Sequence, residues 1–156
     1  MEENLEIVVQ AANDKARICR SILETLPEWF GIESARENYI REVKHLEVFA
    51  CVADNHPIGF IGLKTHNPLN IEIYVMGVLP AWHRQGIGKK LIARSIEHGK
   101  QKGNEFLTVK TLSAQSDDVH YADTRLFYQS CGFAPFEEFP DLWGSDNPCM
   151  MMIKPI

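Results

Sequence analysis

The chain has no C-x-x-C pair; Cys19, Cys51, Cys131 and Cys149 stand far apart. That spacing supports neither a zinc site nor a dithiol redox motif, and it reads as four reduced thiols. No apolar run approaches the roughly 20 residues that a helix needs to cross a bilayer. The opening Met1-Glu2-Glu3-Asn4 lacks the basic-then-apolar pattern of a secretory signal. The expectation is a soluble, cytoplasmic protein with no membrane partner. There is no basic stripe either, and the formal net charge is -5. Nothing in the sequence would neutralise a nucleic-acid backbone, so a nucleic-acid partner is not expected. Two nucleotide motifs are also missing. The P-loop spacing G-x-x-x-x-G-K-[ST] does not occur, and the third glycine of G-x-G-x-x-G would fall on Leu91. With no repeats, low-complexity tract or linker, the 156 residues, 45% of them hydrophobic, suit a single domain over 1–156.

What the sequence does have is a glycine turn between a strand and a helix. The β-rich run from Ile71 to Val78 enters Leu79-Pro80-Ala81-Trp82-His83-Arg84-Gln85-Gly86-Ile87-Gly88-Lys89-Lys90, and a helix leaves it. Without Cβ atoms, Gly86 and Gly88 let a ligand come close to the backbone. The first turn of the helix presents unpaired N–H groups and the positive end of the dipole, which together form a phosphate socket. Arg84, Gln85, Lys89 and Lys90 add charge and hydrogen-bond donors around it. On a helical wheel, Ile87, Gly88, Leu91, Ile92, Ser95, Ile96 and Gly99 share one half. Lys89, Lys90, Arg94, Glu97, Lys100 and Gln101 share the other, the pattern of an amphipathic surface helix.

Around that centre the elements alternate. Strands are predicted at 5–9, 46–53, 58–65, 69–78, 106–112, 133–139 and 149–154. Helices are predicted at 14–26, 34–44, from Gly86 to the Gly103-Asn104 stop, and at 119–131. Asn13 or Asp14 is the expected cap of the first helix, with Pro27 beyond its end. Pro27-Glu28-Trp29-Phe30-Gly31 reads as a loop carrying two aromatics, and Asp54-Asn55-His56-Pro57 as the turn of a hairpin. The order is β-α-α-β-β-β-α-β-α-β-β.

This pattern resembles the GNAT superfamily of acetyl-coenzyme A-dependent N-acetyltransferases, over nearly the whole chain in element order. Val78-Leu79-Pro80 followed by Gly86-Ile87-Gly88 resembles the family's pyrophosphate loop. Leu126-Phe127-Tyr128-Gln129-Ser130-Cys131-Gly132-Phe133 resembles its FY-x-x-x-GF segment. The two motifs stand in the family's order, one helix and one strand apart. His83 departs from the Q/R that often opens the loop, and its position is expected to contribute mainly through backbone geometry. Tyr121 and Thr124 stand where the family often has Asn and Ala, which departs from its usual pantetheine contact.

The resemblance implies a mixed α/β (α+β), mostly antiparallel sheet of about six to seven strands, flanked by about four helices. It implies acetyl-CoA as cofactor, and as acceptor the primary amine of a small molecule or peptide. The backbone from Arg84 through Gln85, Gly86, Ile87 and Gly88 to Lys89 would hold the pyrophosphate. Met76 to Val78 would splay from the neighbouring strand and pair with the pantetheine arm, with the Val78 N–H polarising the thioester carbonyl. Tyr128 would meet the cofactor as general acid, since a phenol of ordinary pKa ~10 holds its proton at neutral pH. Glu72 is the candidate general base; the alternative is a solvent-facing strand residue paired with a lysine. His120 is the rival base, while Asp117 and Asp118 suit a helix cap. Trp29 and Phe30 would wall the acceptor site, unless they only plug the sheet; Trp143 carries the same ambiguity. Met150 to Met152 suit the core. No residue set suggests a metal, and a homodimer is compatible with the family. A non-catalytic acyl-CoA-binding sensor on the same fold is the rival reading. Tyr128 argues against it, because a pure binder needs no acid at the sulfur.

Overall fold

The computed structural model describes residues 4–9 and 12–156. Among these residues, seven strands form one sheet in the order β1-β2-β3-β4-β5-β7-β6. They are β1 (Leu5–Val9), β2 (Glu47–Ala53), β3 (His56–Thr65), β4 (Asn70–Val78), β5 (Phe106–Leu112), β6 (Ala134–Phe139) and β7 (Cys149–Pro155). The helices are α1 (Ala12–Leu23), α2 (Pro27–Phe30), α3 (Glu33–Glu42), α4 (Ile87–Gln101) and α5 (Val119–Ser130). Of the registered pairings, β4 with β5 is parallel and the others are antiparallel. No helix of the described residues is long and apolar enough to cross a membrane.

The structure departs from several expectations drawn from the sequence. Asn13 and Asp14 lie inside the first turn of α1 rather than capping it, and α1 stops at Leu23 instead of Leu26. Its last turn tightens, Thr25 N–H donating to Ile22 O (3.0 Å) and Leu26 N–H to Leu23 O (3.0 Å). The residue before a proline is pushed out of the helical region, and Leu26 has φ −122° and ψ 56°. Pro27 then takes the first position of α2, where its missing N–H costs nothing. The expected 27–31 loop is therefore mostly one turn of helix, and it holds Trp29 and Phe30. The hairpin turn is also shorter than expected. Asp54 and Asn55 alone make it, both at positive φ (48° and 67°), and His56 already belongs to β3. Asn and Asp tolerate that conformation because their short side chains bond locally.

The chain divides into two compact units. The first holds the chain up to Lys64 together with Tyr74–His98. In its core, Ile18, Cys19, Ile22, Leu23 and Leu26 meet Ile40, Val43, Val48, Ala50, Phe60 and Val75. Each large aliphatic or aromatic side chain buried there contributes about 1.5–3 kcal/mol. The wheel read from the sequence holds for α4: Ile87, Leu91, Ile92 and Ser95 are buried, while Lys89, Lys90 and Lys100 are exposed. The buried Ser95 hydroxyl donates to Leu91 O (2.8 Å), so it is satisfied within its own helix.

The second unit holds Thr65–Ile73 and Gly99–Ile156. Here Asn70–Ile73 pair in parallel with Phe106–Val109, and β7 pairs along the whole of β5. On β7, Met150 and Met152 are buried core residues. Asp118 caps α5: its Oδ1 accepts from the backbone N–H groups of His120 (2.9 Å) and Tyr121 (3.1 Å).

Candidate active site

The glycine turn lies in the first unit. After Val78 a 3-10 turn, Pro80–Trp82, bends the chain, and Gln85 Nε2 ties it back by donating to Ala81 O (3.0 Å). Two residues sit at positive φ: Arg84 at 61° and Gly86 at 81°. Arg84 is not a glycine, so its conformation stores about 1–2 kcal/mol. A Cβ built on Gly86 would meet nothing within 4 Å, so the space over the turn is open. The N–H groups of Ile87, Gly88 and Lys89 open α4 and have no partner within the helix. A helix N-terminus, an open glycine and flanking Arg84 and Lys89 suit a diphosphate.

Two strand glycines that the sequence reading passed over let helices approach the sheet in this unit. A Cβ on Gly59 of β3 would stand 3.0 Å from Ile87 Cγ2 and 3.3 Å from Leu91 Cδ1. A Cβ on Gly77 of β4 would stand 3.0 Å from Ile22 Cγ2. Gly59 lets α4 lie close to the sheet, and Gly77 does the same for α1. The sequence showed both as strand glycines, a usual mark of close backbone approach.

His83 is tied in by its side chain as well as its backbone. Its Nε2 lies 2.7 Å from Val78 O, and its ring meets the Trp29 ring edge-on with centroids 5.8 Å apart. Nε2 must carry the proton there, since a carbonyl only accepts. Trp29 and Phe30 are both half-buried and packed against the core of this unit, so each is partly a plug and partly exposed. Phe30 meets Tyr39 edge-on, and Tyr39 meets Tyr74. Met76 and Val78 are both half-buried on β4.

The second unit holds the acid–base candidates. Glu72 on β4 is 2% exposed, so the solvent-facing alternative is wrong, though the pairing with a lysine is right. Its Oε2 takes Lys110 Nζ at 2.9 Å, and its Oε1 lies 2.8 Å from His66 Nε2. Nearby, burial pushes the Cys149 thiol up to about 11; Lys110 opposes the shift and Glu72 adds to it. His66 was missed in the sequence. The available signal was its place six residues before Glu72, across a short connection between strands. The rival His120 is half-buried in the first turn of α5, where the Thr124 hydroxyl donates to its carbonyl (3.1 Å). Trp143, between β6 and β7, is 37% exposed.

Tyr128 lies on α5, 7% exposed, with its ring 5.4 Å from Phe127 and 5.5 Å from Phe133. The residues after it show why the FY-x-x-x-GF spacing is needed. Gly132 N–H donates to Gln129 O (3.0 Å), and Phe133 N–H donates to Tyr128 O (3.0 Å). Gly132 sits at φ +93°, so this is a Schellman ending with its usual hydrophobic contact, Phe133 folded back on Tyr128. The motif fixes the tyrosine ring between two phenylalanines.

Comparison with known proteins agrees with the fold. The model of the acetyltransferase (GNAT) family matches residues 15–133. The chain belongs to the GNAT family of acetyltransferases. A GNAT-family acetyltransferase from Desulfovibrio desulfuricans superposes with a TM-score of 0.82 at 16% identity, covering 97% of this chain and 99% of that one. A GNAT acetyltransferase from Elizabethkingia anophelis, solved with acetyl-CoA bound, gives 0.74 at 18% identity, with 99% and 100% covered. An aminoglycoside 6'-acetyltransferase of type Ii gives 0.76 at 21% identity, with 96% of each chain covered. None of the curated proteins matches the chain in sequence.

Proposed function

We propose that this acetyltransferase moves the acetyl group of acetyl-CoA onto a primary amine of a small molecule or peptide. The observation that carries the reading is the turn at Gly86, open to solvent at positive φ and followed directly by the N-terminus of α4. Acetyl-CoA supplies the acetyl group as a thioester already activated toward an amine.

The chain's own residues have five tasks. The N–H groups from Arg84 to Lys89 hold the pyrophosphate, with the α4 dipole and two cationic side chains behind them. Val78, at the end of β4, donates its N–H to the thioester carbonyl oxygen where negative charge develops. Tyr128, its ring packed between Phe127 and Phe133, gives its phenolic proton to the departing sulfur. Glu72 receives the proton of the substrate ammonium, directly or through water, with Lys110 and His66 holding its two oxygens. Trp29 and Phe30 line the acceptor side, where aromatic faces suit a cationic amine. The four cysteines are free thiols, in keeping with a cytoplasmic setting.

The test is turnover. Purified protein is mixed with acetyl-CoA and a panel of aminoglycosides, polyamines, amino-acid derivatives and peptides, and free thiol is followed. Release that depends on one amine class supports the reading and names the acceptor. Cofactor binding with no turnover on any amine would favour a sensor.

A further inference from the structure

We infer that His83 is a positioning residue: its imidazole caps the Val78 carbonyl, so that the last open position of β4 offers a ligand only a hydrogen-bond donor. The inference rests on the acetyl-CoA reading above and deepens it. In an extended strand, one residue points its N–H and C=O to the same side and the next residue points them to the other. Leu79 N–H donates to Ile58 O on β3 (2.8 Å). Val78 therefore turns both of its backbone groups away from β3, and Met76 shares that direction. A bare strand end would present a donor and an acceptor side by side. His83 Nε2, 2.7 Å from Val78 O, takes the acceptor. What remains is the Val78 N–H, the one group that a thioester or amide carbonyl needs.

The bond also fixes the peptide that follows Val78, because His83 is anchored at both ends. Its backbone N–H donates to Pro80 O (3.2 Å), closing the 3-10 turn, and its ring rests edge-on against Trp29. The imidazole cannot follow the carbonyl if the strand end drifts. A glutamine, with its side-chain amide, can make the same donation; an apolar ring cannot. The sequence position alone does not reveal this, because the bond depends on the 3-10 turn bringing residue 83 back over residue 78.

The experiment compares His83→Gln, His83→Phe and His83→Ala with wild type, on acetyl-CoA and on S-acetyl-pantetheine. The truncated donor lacks the pyrophosphate and nucleotide, so it does not use the glycine turn. Thermal melts without ligand identify variants that stay folded, and His83→Phe keeps a ring against Trp29. The expected result is a roughly tenfold to hundredfold loss of kcat/KM in the Phe and Ala variants, from loss of alignment. The loss is equal on both donors, and Gln restores most of it. A loss confined to full acetyl-CoA would overturn the inference, since His83 would then only shape the pyrophosphate turn. Near-normal kinetics in His83→Phe would overturn it as well. Wild-type protein inactive with every amine would instead count against the acetyltransfer reading; S-acetyl-pantetheine affinity in the same variants then tests His83, a drop in Phe and Ala with recovery in Gln supporting it and equal affinities overturning it.

Discussion

Tyr128 combines burial with a polar tip, and removing that tip tests what its hydroxyl is for. Packing between Phe127 and Phe133 needs only the ring. Tyr128→Phe keeps the ring, so it leaves the fold and CoA affinity nearly intact. General acid catalysis is worth about 10²–10⁴-fold, and kcat is expected to fall within that range. Steady-state kinetics with the CoA dissociation constant measured alongside checks it; a kcat within about twofold of wild type would leave Tyr128 a packing residue. Glu72 poses the opposite problem. Its two oxygens are already occupied by Lys110 and His66, so its task depends on residues that only the folded chain assembles.

Among the elements, β4 and the turn after it concentrate the backbone requirements. Gly86 has open space but positive φ, whereas Gly77 has tight neighbours in Ile22 and Leu26. The two glycines therefore fail differently. Gly86→Val strains the turn by about 1–2 kcal/mol and fills the ligand's approach, so CoA binding is lost while the protein remains folded. Gly77→Val forces a methyl-bearing carbon against α1 and costs about 1–3 kcal/mol. Calorimetric titration with CoA, with a melting curve for each variant, separates the two effects. The sequence showed Gly86 plainly, because G-x-G between a β run and an amphipathic wheel is a local pattern. Strand and helix positions were legible for the same reason, and β1 and β5 fall where the alternation put them. The α2 turn was hidden because Pro27 signals a stop and a start equally well. The roles of His83, His66 and Lys110 were hidden because each depends on a partner that the fold supplies.

At the scale of the whole molecule, buried thiols set an alkaline limit. Burial pushes Cys19 up to about 12 and Cys149 up to about 11, from 9.0. Above pH 9 the unfolded chain releases these protons while the folded chain keeps them. The folded state then binds more protons, so stability falls as pH rises. The slope reaches about 1.4 kcal/mol per pH unit per thiol, between pH 9 and the folded values. Urea denaturation at pH 8, 9 and 10 is expected to show that decline, and Cys149→Ala should flatten it. An unchanged slope in the variant would assign the alkaline loss to other groups.

The parallel pairing of Asn70–Ile73 with Phe106–Val109 also sets an order of events in time. The β2–β3 hairpin closes over two turn residues, and such hairpins form in about 1–10 μs. The parallel ladder cannot start until the chain has crossed back through α4, so its loop-closure entropy is far larger than the hairpin's. Conservative changes at the hairpin turn should then alter the folding rate, and changes at Ile73 or Val109 mainly the unfolding rate. The β5 edge of β4 is thus secured after its β3 edge, and in a nascent chain Asn70–Ile73 have no parallel partner until the β5 segment has emerged.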